Sequence, residues 1–175
     1  GMTRVPWLNT ETGEASKFMK TLHIVDSMTG TKKAFTSETG RVGVYVCGIT
    51  PYDVTHLGHA FTYTFFDVVV RYLRHLGYAV TYVQNLTDID DDILRKALGK
   101  NWRALAEENT QRYLEDMRWL NNVQPDVFPR ATDHIEDMIQ VIAELEKKGV
   151  AYEKSGYVYF DISRSRKYGK LSKVP

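Results

Sequence analysis

The residues of this chain that can do chemistry are concentrated in Cys47-Gly48-Ile49-Thr50-Pro51-Tyr52-Asp53-Val54-Thr55-His56-Leu57-Gly58-His59. The segment holds the only cysteine, two histidines flanking Leu57-Gly58, and two glycines. A strand, a glycine-bearing turn and a helix start together make an anion site, because unpaired backbone N–H groups converge there. Imidazoles at positions 56 and 59 add donors to a polyphosphate. His56 and His59 are therefore candidates for holding ATP phosphates and for stabilising the charge that develops at a pentavalent α-phosphorus. Such catalysis is positioning and electrostatics rather than covalent chemistry. A lone histidine at a helix start commonly serves only as a cap; the pair, in a glycine turn after a strand, favours the phosphate role. Cys47 stays open between an inert packed thiol and a ligand or substrate contact at the carboxyl end of a strand.

Positioning these residues requires a particular order of elements. Val42, Val44 and Val46 alternate with Gly43, Tyr45 and Cys47, a period of two that predicts a strand. From Gly58 the period becomes helical, with Thr62, Phe65, Phe66, Val69, Leu73 and Leu76 on the expected apolar face and Gly77 as the stop. Ala79 to Gln84 is again strand-like and leads into Asn85-Leu86-Thr87. A strand, helix, strand unit of this length predicts a parallel pair with a right-handed crossover. Cys47 and Asn85–Thr87 then lie at the same carboxyl edge, where ligands of open α/β sheets bind.

The remainder is mostly helical. Asp88, Asp90, Asp91 and Asp92 precede a short helix through Ala97. They are better read as capping and dipole-compensating acids than as a magnesium site, with Thr87 or Asp88 as the cap. Trp102 to Leu120 predicts a second long helix, and Asp126 to Thr132, which contains Pro129, a loop. A helix capped by Thr132 or Asp133 runs to about Lys148, with Ile135, Met138, Ile139, Ile142 and Leu145 inward. Val150–Glu153 and Tyr157–Asp161 predict a hairpin around Ser155-Gly156. Upstream, residues 3–20 read as turns, and Leu22–Val25 with Lys32–Thr36 as a small hairpin. Lys170-Leu171-Ser172-Lys173 has the look of a triphosphate-closing lysine loop, but the match is too short to carry weight.

At 175 residues, 43% hydrophobic and 26% charged, the chain is of ordinary globular composition with a core of useful size. A net charge of +1 makes no case by itself for nucleic acid or membrane. One cysteine leaves no internal disulfide and fits a reducing, cytoplasmic setting. Neither a bilayer-length apolar run nor a signal-peptide pattern is present. Gly1 ahead of Met2 is what a cleaved tag leaves behind.

His56-Leu57-Gly58-His59 resembles the His-x-Gly-His signature that opens the first Rossmann helix of class I aminoacyl-tRNA synthetases. The similarity is greatest to the cysteinyl-tRNA synthetase family. It is carried by Tyr45-Val46-Cys47-Gly48-Ile49-Thr50, Tyr52-Asp53, Phe66-Asp67, Tyr82-Val83 and Asn85-Leu86-Thr87-Asp88-Ile89-Asp90-Asp91. Arg130-Ala131-Thr132-Asp133-His134-Ile135, Tyr159-Phe160-Asp161 and Tyr168-Gly169-Lys170-Leu171-Ser172 extend it. The resemblance implies a Rossmann-like α/β fold. It also implies formation of cysteinyl-adenylate from cysteine and ATP, with Mg2+ accompanying ATP, and transfer of the cysteine to tRNA(Cys) in the cytoplasm.

By position, the resemblance makes Cys47 the first ligand of a zinc ion that binds the substrate thiolate, a soft donor that zinc prefers to a serine hydroxyl. Gly48, Ile49 and Thr50 would line the cysteine and adenylate site. Thr62 and Asn85-Leu86-Thr87 would contact the same intermediate, and His56 and His59 the phosphates. The family's other zinc ligands, its Lys-Met-Ser-Lys-Ser loop and its anticodon-binding domain lie in later segments. The implied organisation is an N-terminal extension with a hairpin (1–40), the first half of the catalytic domain (41–115) and part of a connective insertion (116–175). Such a portion is expected to form no adenylate alone. The cysteine ligase of mycothiol biosynthesis, which shares this chemistry, and a non-catalytic nucleotide-binding paralogue are the alternative readings.

Overall fold

The computed structural model describes residues 21–99 and 101–173; the turns expected over residues 3–20 lie outside them. Strands β1 (His23–Asp26) and β2 (Thr31–Ala34) pair antiparallel as the small hairpin. Strand β3 (Arg41–Ile49), helix α1 (Leu57–His75) and strand β4 (Ala79–Leu86) form the expected unit, with β3 and β4 parallel. Helices α2 (Asp91–Ala97) and α3 (Trp102–Trp119) follow. A 3-10 turn (Ala131–His134) then leads into α4 (Ile135–Lys147). Strands β5 (Ala151–Lys154) and β6 (Tyr157–Phe160) close as an antiparallel hairpin. Its turn residues Ser155 and Gly156 have φ of 56° and 83°, the left-handed pair that a two-residue hairpin turn needs.

The core forms where α1 and α3 cover one face of the β3–β4 pair. Val46 and Ile49 of β3, Tyr82 and Leu86 of β4, Tyr63 and Val70 of α1, and Tyr113 and Met117 of α3 make one buried cluster. The buried residues of α1 are Tyr63, Asp67, Val70 and Leu73; of the expected face Leu73 is buried and Phe66, Val69 and Leu76 are half-buried, while Thr62 and Phe65 face out. Phe65 is 57% exposed. The stripe is shifted toward Tyr63 and Asp67, two members whose polar groups the fold satisfies. Asp67 accepts from Arg71 Nε at 2.8 and 2.9 Å and from the Val123 N–H at 2.7 Å. Burial then costs the carboxylate little, since its lone pairs are engaged.

Three further expectations change. Asp90, not Thr87 or Asp88, caps α2, its Oδ1 accepting from the Asp92 N–H at 2.8 Å. The stretch around Pro129 is not simply a loop: Val127 and Arg130 bridge Val83 and Leu86 in parallel, along the edge of β4 away from β3. The Gln84 and Leu86 N–H groups donate to the Val127 and Pro129 carbonyls at 3.1 and 2.8 Å. Proline lacks a donor, but only its carbonyl is used on that edge. Finally, α4 has no side-chain cap, and Ile135, Met138, Ile139 and Ile142 are exposed rather than inward. Its neighbours are β5 and the 3-10 turn, which leave that face uncovered by the described residues. No described helix is long and apolar enough to cross a membrane.

Candidate functional site

The carboxyl end of β3 carries an irregularity. Val46 is opposite Gln84 and Ile49 opposite Leu86, so β3 has one residue more than β4 between the two pairs. This bulge at Cys47-Gly48 flips the alternation: Val42 and Val46 are buried, yet the next buried residue is Ile49. Cys47 is left exposed. Gly48 meets β4 so closely that a Cβ on it would lie 1.5 Å from the Asn85 carbonyl oxygen. The Asn85 side chain alternates with buried Gln84 and Leu86 and so stands on the opposite face of the sheet. Its Oδ1 accepts from the Gly48 N–H at 2.7 Å and the Tyr45 hydroxyl at 2.9 Å, while its Nδ2 donates to Thr87 Oγ1 at 3.3 Å. The ladder resumes with the Thr87 N–H donating to the Ile49 carbonyl at 2.9 Å.

The connection to α1 is pinned from below. Pro51 is fully buried, and its carbonyl accepts from Asn109 Nδ2 of α3 at 3.2 Å. Asp53 pairs with Lys96 of α2, which also lies 5.8 Å from the centre of the Tyr52 ring. The chain then enters α1 through His56, whose Nδ1 accepts from the Gly58 N–H at 3.1 Å. His59 completes the box: its Nδ1 accepts from the His56 N–H at 3.4 Å. The expected array of unpaired N–H groups is thus partly consumed by the histidines themselves. A neutral ring that accepts at Nδ1 carries its proton on Nε2. No described residue hydrogen-bonds either Nε2, so the pair offers two N–H donors with fixed tautomers. The rings lie 4.0 Å apart at a 30° tilt. Partial burial, and then the neighbouring His56, push the His59 pKa below its ordinary 6.5.

The fold therefore brings Cys47, Gly48, Thr50, Asn85 and Thr87 to one sheet edge, with His56 and His59 on the turn that leaves it. Ile49 and Leu86 belong to the buried core, so their side chains serve packing there. Thr62 is exposed on α1, and its hydroxyl donates back to the Gly58 carbonyl at 2.9 Å. Three of the four acids have a side-chain partner in the fold: Asp88 accepts from the Thr132 N–H at 3.0 Å and its hydroxyl at 2.6 Å, Asp90 caps α2, and Asp92 pairs with Arg95, while Asp91 stands in the first turn of α2. Among the described residues no group of three or more His, Cys, Asp or Glu could hold a metal. A tetrahedral zinc site needs four ligands, and Cys47 alone does not make one.

Tyr45, inside one of the motifs, and Tyr63, outside all of them, take roles that residue type does not announce. Tyr45 braces Asn85, and Tyr63 donates its hydroxyl to the Cys47 carbonyl at 3.2 Å. The signal for Tyr63 is its place four residues after His59, on the same helix face.

Residues 33–175 match the family model described as tRNA synthetases class I (C) catalytic domain. A cysteine–tRNA ligase of Pyrococcus horikoshii is 50% identical over 157 residues, covering 88% of this chain and 33% of that protein. One of Synechococcus elongatus is 48% identical over 155 residues, covering 87% of this chain and 32% of that protein. Among solved structures, Mycobacterium tuberculosis methionyl-tRNA synthetase in complex with methionyl-adenylate superposes with a TM-score of 0.56 at 26% identity. That match covers 63% of this chain and 23% of the other. The chain spans about a third of the length of the curated relatives it matches. With the parallel β3–α1–β4 unit and its His56–His59 turn, these matches establish that the chain belongs to the class I (C) tRNA synthetase catalytic-domain family, with that family's Rossmann-like fold.

Proposed function

We propose that this chain carries the cysteine- and ATP-binding half of a cysteine–tRNA ligase active site. The observation that supports this most directly is the convergence of the Cys47–Thr50 strand end and the Asn85–Thr87 turn on one sheet edge, with His56 and His59 on the turn that leaves it and their Nε2 atoms unengaged by any described residue. The relatives' printed activity favours tRNA over another acceptor for the activated cysteine.

In this reading a carboxylate oxygen of cysteine attacks the α-phosphorus of ATP. The new O–P bond forms as the bond from the α-phosphorus to the oxygen it shares with the β-phosphate breaks, and pyrophosphate leaves; Mg2+, when bound, would neutralise phosphate charge. His56 and His59 donate from Nε2 to phosphate oxygens whose negative charge grows in the transition state. One such donor is worth about 10²–10³ in rate in a preorganised site. Their Nδ1 bonds to the backbone fix ring direction beforehand, so little reorganisation is needed. Gly48, Ile49 and Thr50 shape the cysteine and adenylate pocket through their backbone, and Thr62 and Asn85–Thr87 border it. Selecting the substrate thiol through zinc at Cys47 needs three further ligands that the described residues do not supply. Transfer to tRNA(Cys), in the cytoplasm, calls likewise on the length of chain that the relatives have beyond this one.

Calorimetric titration with a cysteinyl-sulfamoyl-adenosine analogue tests the reading. This chain should bind it, show no cysteine-dependent ATP–pyrophosphate exchange, and bind about tenfold or more weakly once His56 and His59 are both alanine. Absence of binding by the unaltered chain sinks the pocket. Measurable exchange by the chain alone sinks its assignment as a half-site.

A further inference from the structure

The Cys47 carbonyl and the Gly48 N–H belong to one peptide group, and two side chains hold it at its two ends. Asn85 Oδ1 takes the N–H at 2.7 Å. The Tyr63 hydroxyl gives a hydrogen bond to the carbonyl at 3.2 Å. Because a trans peptide points its N–H and C=O in opposite directions, gripping both ends fixes the rotation of the plane. That rotation sets ψ of Cys47 and φ of Gly48, and with them the course of the backbone that carries the Cys47 side chain. The bulge has removed Cys47 and Gly48 from the regular pairing, so without these grips the peptide would be free to turn.

Tyr63 is well placed for such a task. It is 5% exposed, and its ring meets Tyr113 edge-on at 5.3 Å. Tyr113 in turn accepts from Gln84 Nε2, and Gln84 accepts from the Tyr82 hydroxyl, so the tyrosine is braced against β4 itself. The other side of Tyr63 lies near-parallel to the His59 ring, with centres 6.5 Å apart at 7°. Burial above all, and then the nearby Cys47, keep its hydroxyl protonated, so it remains a donor across the physiological range.

We propose that Tyr63 is a positioning residue for cysteine activation: it orients the Cys47–Gly48 peptide against Asn85 and ties it to the His59 ring, setting the thiol end of the site relative to the phosphate end. The role in activation rests on the function proposed above; the grip itself does not. Tyr63→Phe keeps the ring and removes only the donor. Thr110→Val removes another fully buried hydroxyl, one that donates only to the Ala106 carbonyl within α3, and serves as the control. In this chain, carbonyl-carbon NMR and amide exchange should show the Cys47 carbonyl shifted and Gly48 exchange faster by about tenfold in Tyr63→Phe, with Val70 exchange little changed. The control should leave Cys47 and Gly48 as they were. In a full-length ligase carrying this segment, Tyr63→Phe should raise KM for cysteine several-fold in pyrophosphate exchange with little change in KM for ATP. An unmoved Cys47 carbonyl, an equal shift in the control, or an unaltered KM for cysteine each overturns the proposal. If the unaltered full-length ligase shows no cysteine-dependent exchange, the functional reading fails while the NMR comparison still decides the grip.

Discussion

Gly48→Ala should be among the most costly single-methyl changes in this chain. The added carbon would lie 1.5 Å from the Asn85 carbonyl oxygen, whereas a carbon and a carbonyl oxygen in contact sit about 3.3–3.6 Å apart. The obstacle is backbone, so no side chain can swing aside, and the two strands must part by nearly 2 Å at that point, roughly the difference between those separations. That movement breaks the Gly48 N–H bond to Asn85 and the Thr87 N–H bond to the Ile49 carbonyl. Each is worth about 1 kcal/mol net, and more if the freed group stays buried. Overpacking contributes about 1–3 kcal/mol more, for a loss of about 3–5 kcal/mol. Against a total stability of about 5–15 kcal/mol this is a large fraction. Urea unfolding followed by circular dichroism reads it directly. With a slope of about 1–3 kcal/mol per M, the midpoint should fall by more than about 1 M. Gly43→Ala is the matched control: it lies on the same strand, nothing stands within 4 Å of its Cβ, and its change should stay within about 1 kcal/mol of zero. A Gly48→Ala midpoint no lower than that of Gly43→Ala would refute the close approach as the reason for glycine.

The remaining expectations concern the turn and its supports. Because the folded-state pKa of His59 is depressed, the unfolded chain binds more protons near pH 6. Stability from this group is therefore complete above about 6.5 and is lost as pH falls through the folded value. A pH series of urea midpoints should show that slope in the wild type and a flatter one in His59→Asn. Asp88→Ala removes the acceptor for both Thr132 donors at a site 5% exposed, and should cost about 2–4 kcal/mol in the same assay. Asp88→Asn should cost less than Asp88→Ala, because one amide oxygen still accepts. Asn109→Ala leaves the buried Pro51 carbonyl without its donor, and should lower Tm by about 3–9 °C in a thermal melt. An unchanged Tm would mean that the loop ahead of His56 is held by something other than α3.

What is legible in the sequence is whatever repeats. The alternation of Val42, Val44 and Val46 and the helical spacing after Gly58 record burial on one face, and both elements form where the pattern sets them. The paired histidines are legible because residue type and turn position coincide. Features that depend on a distant partner are not. The buried stripe of α1 departs from the apolar spacing at Tyr63 and Asp67, whose polar atoms need partners, and only the fold reveals Cys47, Arg71 and Val123 as those partners. The segment around Pro129 lacks the length and composition of a strand, yet the open edge of β4 supplies the pairing. The apolar face of α4 is exposed although its spacing predicts an inward one, because amphipathicity reports that a face is apolar, not what meets it.

The bulge at Cys47-Gly48 shows why half of a site can be read from residue type and the other half cannot. An unbroken alternation would turn Gly48 inward and continue the ladder past Cys47. Cys47 faces outward by the alternation itself; the extra residue turns Ile49 inward in place of Gly48 and leaves one peptide group outside the pairing. Nothing local to Cys47 dictates this; it follows from the register of β4, where Asn85 takes the Gly48 N–H. Once that peptide is off the ladder, its carbonyl needs a donor, and among the described residues it is α1 that supplies one. The same helix begins with the two histidines. A donor placed on α1 to satisfy Cys47 therefore couples the strand end to the phosphate turn as a matter of geometry, and Tyr63, four residues beyond His59, is where that coupling falls.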